Sequence, residues 1–202
     1  MMIRQLLVIE DHAIYRTGLI SVIENISHTS ITEVCTVEQA LASGTVPDLI
    51  LLDIQLNGMN GLKGMAELYR QWPDTKIIII SANDSYTNAQ TALESGAMAF
   101  LSKSDTTETI LAVVTSVLDN PQADRMISPM IQSRVAKAPK LSSRQIDVLQ
   151  LMAKGHSNKI IGQMLNISEN TARWHVCAMI SVLQVSSRTE AVFTARELGL
   201  LS

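Results

Sequence analysis

Between residues 5 and 101 the chain alternates short, unbroken apolar runs with longer segments of helical periodicity. The runs LLVI, LILL and IIII show no polar–apolar alternation. A strand with one wet face alternates, whereas a parallel strand covered on both faces has no reason to. These runs therefore call for a parallel sheet with helices on both sides. Strands are expected at 5–9, 31–35, 49–52, 76–81 and 99–101, and helices at 13–26, 37–41, 62–71, 86–95 and 106–118. Five strands alternating with five helices make a doubly wound α/β sheet. Right-handed crossovers restrict its topology, and the order 2-1-3-4-5 puts the first and third strands side by side.

The pattern stops near residue 119. Three of the five prolines, Pro121, Pro129 and Pro139, fall in the next twenty residues. DNPQAD reads as a turn, SPMIQSRV as a short helix beginning at Ser128–Pro129, and KAPK as a solvated connector. Beyond it the periodicity is wholly helical, with helices expected at 143–153, 158–165, 168–183 and 188–197 and a turn at 166–167. The organisation that follows is an α/β domain over 1–124, a linker over 125–140 and a small four-helix domain over 141–202.

Charge divides the same way. Residues 1–124 hold 6 Lys+Arg against 15 Asp+Glu, a net −9; 125–140 are +4; 141–202 are +2. Two domains with different partners fit this asymmetry, although surface charge also varies without meaning. No run approaches the ~18 apolar residues of a membrane span. The start, MMIRQLLVIEDH, meets two acids too soon for a signal peptide. Cys35 and Cys177 are far apart and suggest no disulfide framework. A soluble, cytoplasmic protein without membrane contact is expected.

Chemistry gathers at the strand ends. Glu10 and Asp11 close the first strand and Asp53 the third, which are neighbours in the expected order. Three carboxylates at one edge repel each other unless a cation joins them. Mg²⁺ suits such a site, since it takes oxygen ligands and keeps part of its water shell; the backbone carbonyl of Gln55 is within reach as a further ligand. Ser81 ends the fourth strand and Lys103 follows the fifth. A hydroxyl and an ammonium there can hold the oxygens of a phosphoryl group on Asp53. Singly, each has a plainer reading: a solvated strand end for Glu10 and Asp11, a helix cap for Ser81, a surface charge for Lys103, core for Phe100. His12 reads as a solvent-facing residue at a helix start rather than a ligand.

With these residues in place, positions 1–120 resemble the response-regulator receiver domain, of flavodoxin-like fold. Glu10, Asp11, Asp53, Ser81 and Lys103 occur in family order and spacing, and Phe100, three before Lys103, matches the aromatic switch position. The resemblance implies that a sensor histidine kinase phosphorylates Asp53 with Mg²⁺, that Ser81 then swings toward the phosphoryl group, and that Phe100 follows inward. Departures are Asn57 and Asn60, where many receivers have proline and aspartate, and Ser104, where many have proline. Gln55 and Asn83 flank the route of an attacking water and bear on phosphoryl lifetime.

Residues 141–201 resemble the LuxR-type helix-turn-helix domain through LSSRQIDVLQLMAKGHSNKIIG, ISENTARWHV and LQVSSRTEAV. Independently, Ala172, Val176, Met179, Ile180 and Leu183 form one helical stripe, opposite Asn170, Arg173, Trp174, Cys177 and Ser181. The start of that helix is where a recognition helix meets base edges. Expected DNA contacts are Asn158, Lys159, Asn170, Thr171, Arg173, Trp174 and Cys177. Positions 177, 181 and 182 are often basic in the family and are Cys, Ser and Val here, so weak monomer binding rescued by dimerisation is expected. Trp174 suits a thymine methyl or a protein interface, and His175 a phosphate or a packing contact.

The whole resembles a two-component response regulator of the NarL/FixJ subfamily, a non-enzymatic transcription regulator. A homodimer on promoter DNA, with RNA polymerase as a further partner, is implied. The alternative is a regulator acting through protein contacts with little DNA binding. A phosphatase of the haloacid-dehalogenase type would want a second Asp two residues after Asp53, where Gln55 stands, and no nucleotide-binding glycine motif is present.

Overall fold

The computed structural model describes residues 3–56, 61–120, 125–136, 139 and 141–201. Asn57, Asn60, Lys140 and most of the DNPQAD turn lie outside them. The chain forms two compact units, Met1–Asp84 with Asn88–Met130, and Ser85–Thr87 with Ile131–Ser202.

The first unit runs β1 (Arg4–Ile9), α1 (Ala13–Ile23), β2 (Thr29–Val34), α2 (Val37–Ala42), β3 (Leu49–Asp53), α3 (Gly61–Gln71), β4 (Lys76–Ser81), α4 (Tyr86–Glu94), β5 (Ala99–Ser102), α5 (Thr107–Asp119) and β6 (Met126–Ile127). All strand pairs are parallel, in the order β2-β1-β3-β4-β5-β6. The expected order 2-1-3-4-5 is present. The expected count of five strands is not, because β6 adds a sixth beside β5. Its physical reason is tertiary: a two-residue strand has no periodicity of its own and exists only through its pairing with Ala99 and Phe100.

β3 and β5 are buried along their whole length. On one face Leu6, Val8, Leu49, Leu51, Ile78 and Ile80 pack with Leu19 and Ile23 of α1 and Val114 and Val117 of α5. Alternate residues point to the other face, and Leu7, Ile9, Ile50, Leu52, Ile77, Ile79 and Phe100 are buried as well. Two buried faces explain the unbroken apolar runs.

The second unit holds α6 (Pro129–Ala136), whose first two residues belong to the first unit, then α7 (Ser143–Ala153), α8 (Asn158–Leu165), α9 (Glu169–Val182) and α10 (Arg188–Glu197). The last four match the expected helices within a residue at each end. Serine caps start them: Ser142, Ser157, Ser168 and Ser187 each accept a backbone N–H three residues on. Val148, Leu149, Met152, Ile161, Ala172, Val176, Met179 and Leu183 make one core. Asn166 closes α8 in the left-handed conformation, φ 52°. Ahead of it, a Cβ on Gly162 would lie 2.9 Å from the Ile167 carbonyl oxygen, so only glycine lets α8 approach the turn this closely.

Candidate functional site

The carboxyl ends of β1, β3, β4 and β5 bring the expected residues of the first unit together. Asp53, the last residue of β3, has a side chain with no exposed surface. Its Oδ1 accepts the Gln55 backbone N–H at 2.9 Å, and its Oδ2 accepts the Lys103 ammonium at 2.9 Å. Lys103 Nζ also lies 2.7 Å from Glu10 Oε2. One ammonium thus joins two nearly buried carboxylates. Burial pulls the Lys103 pKa down, but its hydrogen bonds to Glu10 and Asp53 more than offset this and leave it raised.

Carboxylate oxygens of Glu10, Asp11 and Asp53, together with a ring nitrogen of His12, all lie within 4.8 Å of one another. The three acids are a hard oxygen set of the kind Mg²⁺ takes, so these residues fit such an ion. His12 is solvent-facing at the start of α1, as expected, with its side chain 65% exposed. Its Nδ1 is nevertheless 2.9 Å from Asp11 Oδ1 and 3.1 Å from Glu10 Oε1, a contact that sequence spacing does not announce.

Ser81 is fully buried and its Oγ accepts the Asn83 backbone N–H at 3.0 Å. Its carbonyl accepts the Lys103 backbone N–H at 2.9 Å, which ties the ends of β4 and β5 together. Phe100, on β5, has no exposed surface in this conformation. Gln55 and Asn83 are both exposed beside the pocket.

Two residues of the site escaped the sequence reading. The Tyr15 ring lies under Lys103, with Nζ 4.6 Å from its centroid, a cation–π contact. Its hydroxyl pKa is raised, by burial first and then by Glu10, Asp105 and Asp53. Gly61, at the start of α3, donates its N–H to the Ile54 carbonyl at 2.9 Å, and a Cβ there would collide with the Asp53 carbonyl oxygen. Tyr15 sits one helical turn past Asp11, a spacing that could have signalled it; Gly61 gave no signal, because its constraint comes from backbone contact.

In the second unit the expected face of α9 is displayed. Asn170, Thr171, Arg173, Trp174, Cys177 and Ser181 are exposed, while Ala172, Val176, Met179 and Leu183 are buried. Ser168 caps the helix through the Thr171 N–H at 3.1 Å. Arg173 lies 3.7 Å from Glu169, one turn back. Trp174, 65% exposed, meets the His175 ring edge-on at 5.0 Å, and His175 Nδ1 is sealed inside. Lys159 is exposed at the start of α8, while Asn158 accepts a hydrogen bond from Arg188 at 3.2 Å. A shallow groove between α8 and α9 is lined by Lys159, Gln163, Asn166 and Ser168.

Two family descriptions match the chain: response regulator receiver domain over residues 6–115, and bacterial regulatory proteins, luxR family, over 139–195. The nitrate/nitrite response regulator protein NarL of Escherichia coli K12 is 33% identical over 92% of both chains. The transcriptional activator protein ExaE of Pseudomonas putida is 30% identical over 97% of both. Among solved structures, response regulator ChrA of a heme-sensing two-component system is 27% identical, with 99% of both chains covered and a TM-score of 0.51. No helix among the described residues is long and apolar enough to cross a membrane.

Proposed function

Because the chain belongs to the NarL/FixJ-type response regulators, with a receiver domain and a LuxR-type DNA-binding domain, we propose that Asp53 is the phosphoacceptor whose modification controls transcription through the second unit. The observation that carries this reading is the meeting of Lys103 with the buried Asp53 carboxylate inside the Glu10–Asp11–Asp53 cluster.

The chemistry is an in-line transfer. A carboxylate oxygen of Asp53 forms a bond to the phosphorus of a phosphohistidine on a sensor kinase, the P–N bond breaks, and the leaving imidazole nitrogen keeps the electron pair. The Gln55 N–H and the Lys103 ammonium fix the carboxylate for attack. Lys103 and the Ser81 hydroxyl then bind oxygens of the phosphoryl group. Glu10, Asp11, Asp53 and the Gln55 carbonyl would hold Mg²⁺, which neutralises charge on the transferring group. The product carries about −1.5 to −2 charges. Ser81 swings toward the phosphoryl group and Phe100 follows it.

On the output side, Lys159 reaches the phosphate backbone, and Asn170, Thr171, Arg173, Trp174 and Cys177 face the major groove. Asn158, which accepts a hydrogen bond from Arg188, contacts the backbone beside Lys159. Weak binding by one copy, strengthened by a homodimer on paired half-sites, follows from a recognition helix whose single cation is paired with Glu169. The domain limits 1–124, 125–140 and 141–202 and a cytoplasmic setting belong to the same proposal.

The test is titration of promoter fragments with wild type and Asp53→Asn, with and without a phosphoryl donor. Tighter binding only for phosphorylated wild type is expected; equal affinity in all four conditions overturns the switch. The same cation-poor face favours, as a second reading, a regulator working through protein contacts. A log–log salt slope near zero for DNA binding would support it.

A further inference from the structure

Lys103 sits inside a four-residue turn that Asp105 closes twice. The Asp105 N–H donates to the Ser102 carbonyl at 3.0 Å, and Asp105 Oδ2 accepts the Ser102 N–H at 2.8 Å. The other oxygen, Oδ1, accepts the Ser128 hydroxyl at 2.6 Å. Ser128 is 1% exposed and far from the carboxylate cluster in sequence. Its Oγ in turn accepts the Met130 N–H at 3.2 Å, capping the first turn of α6. Its backbone N–H donates to the Phe100 carbonyl at 2.8 Å, as the Met126 N–H does to Met98 at 3.0 Å. A buried hydroxyl with both its donor and an acceptor position used has little freedom to rearrange alone. The turn that carries Lys103 and the first turn of α6 therefore share one hydrogen-bond chain.

We propose that Asp105 is a positioning residue for Lys103, and that its bond to Ser128 is a latch which passes the state of the Lys103 turn to α6. The proposal rests on Asp53 being the phosphoacceptor. In the structure Lys103 is shared between Glu10 and Asp53. A phosphoryl group draws the ammonium outward to its own oxygens. The turn moves with it, Oδ1 withdraws from Ser128, and β6 and the cap of α6 loosen.

The experiment uses the full chain as wild type, Ser128→Ala and Asp105→Asn, each incubated with Mg²⁺ and a small acyl phosphate. Intact mass reads phosphoryl uptake, and amide hydrogen exchange reads residues 126–136. In wild type, uptake is expected to raise exchange there by roughly fivefold to tenfold, the weight of about one hydrogen bond. Ser128→Ala should take up phosphoryl at the wild-type rate, exchange rapidly from the start and respond no further. Asp105→Asn should lose the same response and also take up phosphoryl more slowly, which a purely structural role for the latch does not require. If Ser128→Ala does not fold, Asp105→Asn alone decides. Uptake by wild type without any response at 126–136, or variants that respond as wild type does, overturns the latch and leaves the phosphoacceptor standing. No uptake by wild type overturns both.

Discussion

Asp53 lies at a strand end where both of its carboxylate oxygens are held in place, one by a backbone N–H and one by Lys103. That preorganisation depends on neighbours of very different legibility. Glu10, Asp11, Ser81 and Lys103 announce themselves, because each is a chemically unusual residue at the end of an apolar run. Gly61 does not, because what matters about it is the side chain it lacks. Gly61→Ala places a methyl group against the Asp53 carbonyl oxygen. The backbone must shift, and a loss of about 1–3 kcal/mol is expected in urea unfolding. Phosphoryl uptake should fall as well, since the displaced segment carries Asp53 and the Gln55 N–H. Uptake and stability both equal to wild type would contradict this account. Tyr15 lies between these cases: an aromatic on the first turn of α1 reads as core, and only its position under Lys103 gives it a part in the pocket.

Elements were legible in proportion to how much of their stability is their own. α7, α8 and α10 carry serine caps and apolar stripes, and their limits follow from sequence to the residue. β3, β4 and β5 read directly, because burial on both faces makes them apolar between their end residues. α1 ends three residues earlier than its periodicity suggests, because Glu24 caps it and the chain turns toward β2. The turn between α8 and α9 sets how α9 is presented, and Asn166 in the left-handed region is its pivot. Asn166→Gly should be neutral or slightly stabilising in thermal unfolding. Asn166→Val should cost about 1–2 kcal/mol, since a β-branched residue resists positive φ. Equal stability of the two variants would mean that the turn has relaxed to another conformation.

At the scale of the whole molecule, two units of opposite charge balance divide the work expected of the chain. DNA affinity in the second unit rests on few cations, and Lys159 is an exposed one at the start of α8. Lys159→Ala should lower the log–log salt slope of DNA binding by about 0.9. An unchanged slope with weakened binding would instead mean that Lys159 acts on the fold. β6 has a further consequence for solubility. A sheet that stopped at β5 would present a row of unpaired amides and carbonyls to any other extended chain. Two residues, Met126 and Ile127, occupy that row. A chain cut after Asn120 keeps every group of the Asp53 pocket yet bares the edge, and is expected to self-associate by strand addition. Light scattering beside the same segment extended to Met130 would show the difference, and two equally monodisperse samples would refute it. Met126 and Ile127 thus act as a selvedge on the sheet, and keep it from being continued by a neighbour.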